Sequence, residues 1–400
     1  MGPPDLQNAE ENQARRQQAP SALCRKVLLL VPDGRFVLSH FKPLIAVLRE
    51  CAGEVVVVTH ASGQEAEIEA LGTRVIDFSC QSSISASRQL ASAWALARLF
   101  EAESPDAVHL VSADPIVLGC LALKLVPPIR VMLHMTGLGL LGKASGQLLR
   151  LYQRAALRIV GSTLAKPTSY VLVESADSLD LLRKVGADPG PRFAILGGVG
   201  VDPQAFTALP PPGNDIPVAA FVGRMLRRKG LGVLMQACDR LAARGERLQL
   251  DLYGESSDAD PDAIPASEIS AWCAHRSARW QASINDVREV WRQADFFVLP
   301  SLGEGMPRAL LEAAACSRPL VVADAPGCRK FVRDGVEGFV VPSGSSAALA
   351  DALQRMVRDP EGRERMGEAA RLRVLQGFTQ AHVGRSLKAA YLSLLGGAHG

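Results

Sequence analysis

Short apolar runs rich in β-branched residues recur along the first half of the chain, each followed by a polar or glycine-containing turn and a stretch of helical period. Val27–Val31, Glu54–Thr59, Arg74–Phe78, Ala107–Val111, Val131–His134 and Tyr170–Val173 read as strands. Strands alternating with helices at this spacing form βαβ units, so the pattern predicts an α/β fold with a doubly wound parallel sheet. Leu209-Pro-Pro-Pro-Gly-Asn214 breaks the alternation and reads as a joint between domains. Beyond it the alternation resumes at Val218–Val222, Leu248–Tyr253, Phe296–Leu299, Leu320–Ala323 and Gly338–Val341, with Ala278–Ala282 ambiguous. His382–Leu395 has a helical period. The expected organisation is a tail over 1–20, a first Rossmann-like domain over 21–208, a linker over 209–214 and a second such domain over 215–377. A C-terminal helix over 378–400 is expected to pack back toward the first domain. Two such domains face each other across a cleft at the carboxyl ends of their strands, where ligands of these folds bind.

Composition agrees with two full cores, since 48% of the 400 residues are hydrophobic. A net charge of +3 implies no nucleic acid or other polyelectrolyte partner. The basic residues are mostly arginine, which suits bidentate contacts to phosphate or carboxylate. The eight cysteines form no CxxC pair, and no secretory signal precedes them, so a reduced, cytoplasmic chain is expected. Residues 1–20, rich in Gln, Asn, Pro and charge, are expected to be disordered. No apolar run approaches the roughly 18 residues that span a bilayer.

The most informative segment follows the apolar run Phe296–Leu299. It places Glu304 in a glycine-flanked loop, begins a helix at Pro307 and puts Glu312 within that helix. A strand, tight loop and helix junction offers free backbone N–H groups and a positive dipole end to a diphosphate or a hydroxyl-rich ligand. Two carboxylates beside it suit sugar or ribose hydroxyls. A second element, Gly223-Arg-Met-Leu-Arg-Arg-Lys-Gly230, directly follows the strand Val218–Val222 and places Arg224 and Lys229 at a strand's carboxyl end. Two cations there could neutralise a departing diphosphate, and the alternative is a solvated basic turn.

With both elements in hand, the C-terminal half resembles family 4 of the retaining glycosyltransferases, which have the GT-B fold. The matching text runs Phe221-Val-Gly-Arg-Met-Leu-Arg-Arg-Lys-Gly230, Ala294-Asp-Phe-Phe-Val-Leu-Pro-Ser301 and Glu304-Gly-Met-Pro-Arg-Ala-Leu-Leu-Glu312. It continues through Arg318-Pro-Leu-Val-Val, Gly327-Cys-Arg and Asp334-Gly-Val-Glu-Gly-Phe-Val-Val-Pro342. The resemblance implies that Arg224 and Lys229, with Gly223, contact the diphosphate of a nucleotide-sugar donor, expected to be a UDP-sugar. It implies that Glu304, Gly305 and Met306 hold the transferred sugar, that Pro307 belongs with them to the donor-binding loop and that Glu312 binds the ribose. Gly254 and Glu255 or Ile284 would reach the base. It further implies front-side attack with retention and no metal cofactor.

The N-terminal half resembles the bacterial branch that builds surface polysaccharides and lipid-linked oligosaccharides, through Phe36-Val-Leu-Ser-His40, Pro43-Leu44, Pro105-Asp-Ala-Val-His109 and His134-Met-Thr-Gly-Leu-Gly139. By that resemblance His134 lies near the transferred sugar, with a core histidine as the alternative. Asp33 and Gly34 end the first strand and could lie near a donor or acceptor phosphate. His40 and His109 read as structural. Many family members carry an Asn before a Gly-Val-Asp here written Gly198-Val-Gly-Val-Asp202, so no contact of that Asn carries over.

Asp258-Ala-Asp260 looks like a DxD metal motif but falls in a solvated loop, and Cys273-Ala-His275 reads as an ordinary helix position rather than a zinc site. Arg150, Arg154 and Arg158 recur every four residues among leucines, just after the apolar loop Leu138–Leu141. Such a stripe suits an anionic inner-membrane surface or a lipid-linked diphosphate, and a solvated helix face is the alternative. The expected activity is transfer of a hexosyl or N-acetylhexosaminyl group to a polyprenyl-linked or polysaccharide acceptor, at the cytoplasmic face of the membrane. A nucleotide-sugar 2-epimerase of the same fold, or a non-catalytic nucleotide-sugar-binding homologue, are the competing expectations.

Overall fold

The structure, a computed structural model, describes residues 22–80, 85–136, 147–184, 186–257 and 260–396. The predicted tail, the loop Leu138–Leu141 and Asp258 lie outside the described residues.

The chain divides into two compact units. The first comprises Met1–Val173, Asp180–Ala194 and Gly384–Gly400, and the second Glu174–Leu179 and Ile195–Val383. The first holds β1 (Cys24–Asp33), β2 (Ala52–His60), β3 (Arg74–Asp77), β4 (Ala107–Val111), β5 (Arg130–Met135), β6 (Ser169–Val173) and β7 (Phe193–Ile195) in the order β3-β2-β1-β4-β5-β6-β7. β1 pairs in parallel with both β2 and β4, Leu28 facing Val56 on one side and Val108 on the other. Val27 to Val31 and Val55 to Val58 are all buried, as parallel strands covered on both faces require. Each such Val or Leu side chain contributes about 1.5–3 kcal/mol on burial.

The second unit holds β8 (Val218–Val222), β9 (Gln249–Tyr253), β10 (Ala278–Gln281), β11 (Phe296–Leu299), β12 (Leu320–Ala323) and β13 (Gly338–Val341) in the order β10-β9-β8-β11-β12-β13. Its core joins Phe221, Phe296, Phe297 and Trp291 to the buried face of the helix Arg308–Ala315. The two sheets are thus the doubly wound parallel layers that the alternation predicts. In each, the strand order reverses beside the first strand, between β1 and β4 and between β8 and β11.

The joint falls elsewhere than expected. The change between units comes at Ala194/Ile195, and the proline run lies inside the second unit. There the Leu209 N–H bonds Cys316 O at 3.3 Å, Arg318 Nη2 donates to Pro210 O at 2.8 Å, and Asn214 Nδ2 donates to Asp295 Oδ2 at 2.8 Å. Prolines hold a chain extended as well in a packed segment as in a free linker, which is why composition misplaced the boundary.

Candidate active site

The loops after β8 and β11 flank the point where the second sheet reverses its strand order, the place where open α/β sheets bind ligands. They are also the two loops that carry Arg224, Lys229 and Glu304. Leu226 is extended, Arg227–Lys229 makes one 3-10 turn, and Gly230 closes it at φ +77. A Cβ on Gly230 would lie 2.0 Å from Pro300 O, so glycine is what lets the two loops meet. The meeting is fixed by the Leu302 N–H, which donates to Arg228 O at 2.9 Å, and by Ser301 Oγ, which donates to the same carbonyl at 3.2 Å. Lys229 Nζ then reaches Glu304 Oε1 at 2.5 Å, with the two side chains 22% and 10% exposed. A half-buried ammonium and a carboxylate therefore share one end of the sheet.

The other cations are also paired. Asp260 accepts from Arg228 Nη2 at 3.1 Å and from Arg224 Nη1 at 3.5 Å, Asp262 takes Arg228 Nη1 at 3.0 Å, and Glu268 takes Arg227. The basic turn is thus lined by an acidic loop, and the Arg228 hydrogen bond is the main cause that holds the Asp260 carboxyl below its usual range. Asp260 is engaged by arginine, and among the described residues no group of three His, Cys, Asp or Glu side chains is placed to hold a metal ion. Arg224 remains 66% exposed and free to exchange its weak Asp260 contact for a ligand.

The remaining predicted donor residues extend the row. Gly223 N–H bonds Tyr253 O at 2.9 Å, Met225 N–H bonds Glu255 O at 2.9 Å, and Gly254 N–H bonds Gln281 O at 3.0 Å. Gly254 and Glu255 after β9 therefore sit beside the Gly223–Lys229 loop, and Ile284, past β10, packs half-buried on the second unit's core. On the other side, Gly305 and Met306 lie against the helix Pro326–Phe331, where Gly327 N–H donates to Glu304 O at 3.1 Å. Pro307 caps the helix Arg308–Ala315. Glu312 is 4% exposed and accepts from Arg308 Nε at 2.6 Å, outside the Lys229–Glu304 contact. Burial raises its pKa against the pull of Arg308.

His134, Asp33 and Gly34 belong to the first unit. His134 ends β5 at 3% exposure, with Nδ1 3.3 Å from Nε2 of the wholly buried His109, whose Nδ1 lies 2.8 Å from the Tyr391 hydroxyl. Desolvation lowers the His134 pKa to about 4 and, with His134 as a second cause, holds His109 well below its usual value. Two neutral rings thus bridge the sheet to the helix Gln380–Gly396. Asp33 caps a short turn by accepting the Arg35 N–H at 2.8 Å, and Gly34 is buried beneath it. Exposed Arg150, Arg154 and Arg158 line the helix Gln147–Leu164, together with Leu151 at 65% exposure.

The sequence reading missed Glu174. It follows β6 directly, and its Oε2 accepts the Met306 N–H at 3.1 Å. A carboxylate at the end of a buried strand was the available signal.

Family models match both halves of the chain. Residues 39–202 match the model described as Glycosyltransferase Family 4, and residues 216–359 the model described as Glycosyl transferases group 1. The alpha-maltose-1-phosphate synthase of Mycobacterium tuberculosis is 32% identical over 213 residues, which is 49% of this chain and 50% of that protein. The lipopolysaccharide core biosynthesis glycosyltransferase LpsE of Rhizobium meliloti is 30% identical over 181 residues, 45% of this chain and 50% of that protein. The chain spans about half the length of the curated relatives it matches. Among solved structures, Anabaena HepE in complex with UDP and glucose superposes with a TM-score of 0.72 at 19% identity, covering 91% of this chain and 98% of that one. With two family models matched in sequence order and both doubly wound sheets in place, the chain belongs to glycosyltransferase family 4 and has the GT-B fold.

Proposed function

We propose that the protein transfers a sugar, with retention, from a UDP-sugar to a polyprenyl-linked or growing polysaccharide acceptor. The observation that carries this reading is the Lys229–Glu304 contact at the strand-order reversal of the second sheet, with exposed Arg224 on the same loop. Such a site supplies what a nucleotide-sugar demands, cations for the diphosphate and a carboxylate for sugar hydroxyls. The UDP and glucose in the HepE structure favour UDP as the donor nucleotide, and the lipopolysaccharide relative favours a surface-glycan acceptor.

In this reading Arg224 leaves Asp260 for the donor diphosphate, and Lys229 adds a second charge that stabilises it as it departs. Glu304 accepts hydroxyls of the transferred sugar, Glu312 those of the ribose, and Gly254, Glu255 and Ile284 lie toward the base. The acceptor hydroxyl attacks from the face the diphosphate leaves, through an oxocarbenium-like state, so no enzyme nucleophile is assigned. Charge neutralisation by Arg224 and Lys229 leaves no step that requires a metal, and transfer is expected to persist in EDTA.

The exposed Arg150, Arg154 and Arg158, with Leu151, favour contact with an anionic membrane face that presents the acceptor. No helix among the described residues is long and apolar enough to cross a membrane. Flotation with anionic liposomes tests the contact, with wild type floating and an Arg150/Arg154/Arg158 triple Ala variant remaining below. Equal behaviour removes it. A thermal-shift screen with UDP-, GDP- and ADP-sugars, followed by nucleoside diphosphate release with lipid-linked acceptors, tests the activity. Stabilisation by UDP-sugars and acceptor-dependent UDP release is the expected result, and no response to any nucleotide-sugar sinks the reading.

A further inference from the structure

Glu174 opens the segment Glu174–Leu179, which groups with the second unit although the chain on either side of it belongs to the first. Its side chain is 8% exposed. Oε2 accepts the Met306 N–H at 3.1 Å, and the residue's own carbonyl accepts Lys330 Nζ at 3.1 Å. Oε1 receives no hydrogen bond from a described residue. Met306 stands two positions past Glu304, so this carboxyl presses on the loop that the donor reading assigns to the sugar.

Oε1 is not one of the sealed, unpartnered atoms of the described residues, so it stays open to solvent and can exchange that solvent contact for a ligand. The ligand's chemistry follows from the neighbours. Arg224 and Lys229 are better placed to meet the charge of a phosphate, and a carboxyl beside Glu304 suits a sugar hydroxyl. We propose that Glu174 is a further donor-site residue that binds a hydroxyl of the transferred sugar through the carboxyl oxygen Met306 leaves free. This rests on the donor reading above.

The proton state supports it. Burial, with the Glu304 charge added, pushes the Glu174 pKa up to about 8 against the Met306 N–H and Lys330, which pull it down. At neutral pH the group is then mostly an uncharged acid, able to accept from Met306 and donate to a hydroxyl while adding no charge beside Glu304. Raising the pH above 8 ionises it and sets a second anion against Glu304.

The test is calorimetric titration of the full chain and its Glu174→Ala and Glu174→Gln variants with UDP and with UDP-glucose, or with the pair the thermal-shift screen selects. Glu174→Ala is expected to weaken UDP-glucose about tenfold, the worth of one lost hydrogen bond, while UDP changes less than about twofold. Glu174→Gln keeps both an acceptor and a donor and is expected to bind near the wild-type level at pH 7. Wild-type affinity for UDP-glucose is expected to fall between pH 7 and 9, and that of Glu174→Gln to stay level. Equal losses for UDP and UDP-glucose reduce Glu174 to a pin for the loop and overturn the proposal, as does unchanged affinity in both variants. If Glu174→Ala fails to fold, the pH comparison with Glu174→Gln decides alone, and parallel profiles overturn it. A wild type that binds neither ligand fails differently, by removing the donor reading itself.

Discussion

Lys229 and Glu304 stand 75 residues apart in sequence, yet the pair was legible because each residue lies in its own motif at the end of its own strand. Glu174 was not, since its partner Met306 lies 132 residues away and nothing near Glu174 marks a contact with that loop. For His134 a core position was the stated alternative, but its contact with His109 on a neighbouring strand, and the ring network that reaches Tyr391 across 282 residues, carry no local mark. These buried groups bear on stability with opposite signs. Glu174 has its pKa raised to about 8 in the fold, so the folded chain keeps a proton that the unfolded chain releases, and stability falls as pH rises from about 4.5 to about 8. Glu174→Gln cannot ionise. Its melting temperature is expected to gain on wild type across that window, by a stability difference on the order of 3 kcal/mol at pH 7, and parallel curves would contradict the assignment. His109 and His134 are held neutral by burial, so the unfolded chain binds the extra protons and stability is lost as pH falls from about 6.5 toward 4. Tyr391→Phe strands His109 Nδ1 without its hydroxyl, and a loss of about 1–3 kcal/mol in denaturant titration is expected.

At the scale of elements, the long buried strands were legible because parallel strands covered on both faces are continuous β-branched runs. β10 was ambiguous because it is an edge strand whose Arg279 and Gln281 are exposed, and β7 was missed because three residues carry no period. The turn Val37–Phe41 is a π-helical step between Gly34–Phe36 and the helix Lys42–Cys51, and side-chain pattern does not distinguish it from ordinary helix. The element most directly tied to the site is the helix Pro326–Phe331. A Cβ on its Gly327 would fall 1.3 Å from Gly305 O, so Gly327→Ala must push the Glu304–Met306 loop away from its seat. The expected result is a loss of about 1–3 kcal/mol in stability, with nucleotide-sugar binding reduced more than the melting temperature alone explains. Wild-type binding in a folded Gly327→Ala protein would show that the loop's position is unimportant.

At the scale of the whole molecule, the alternation of strands and helices showed two doubly wound sheets, and their topology explains why the site lies where it does. The loops of Arg224, Lys229 and Glu304 belong to β8 and β11, which are separated by β9 and β10 in sequence but adjacent in the sheet. Strand order is a long-range property that no local pattern carries. The family motifs conveyed it only because they preserve both loops together. The boundary between units was less legible, because the segment Glu174–Leu179 joins the second unit from within the first unit's chain. The central claim is that the cations and carboxylate brought together at this reversal drive the departure of a nucleoside diphosphate. Acceptor-dependent UDP release by wild type and Lys229→Ala, each verified as folded by its melting curve, tests it most directly. A fall of at least about a hundredfold in kcat is the predicted result, and turnover near the wild-type rate would contradict it.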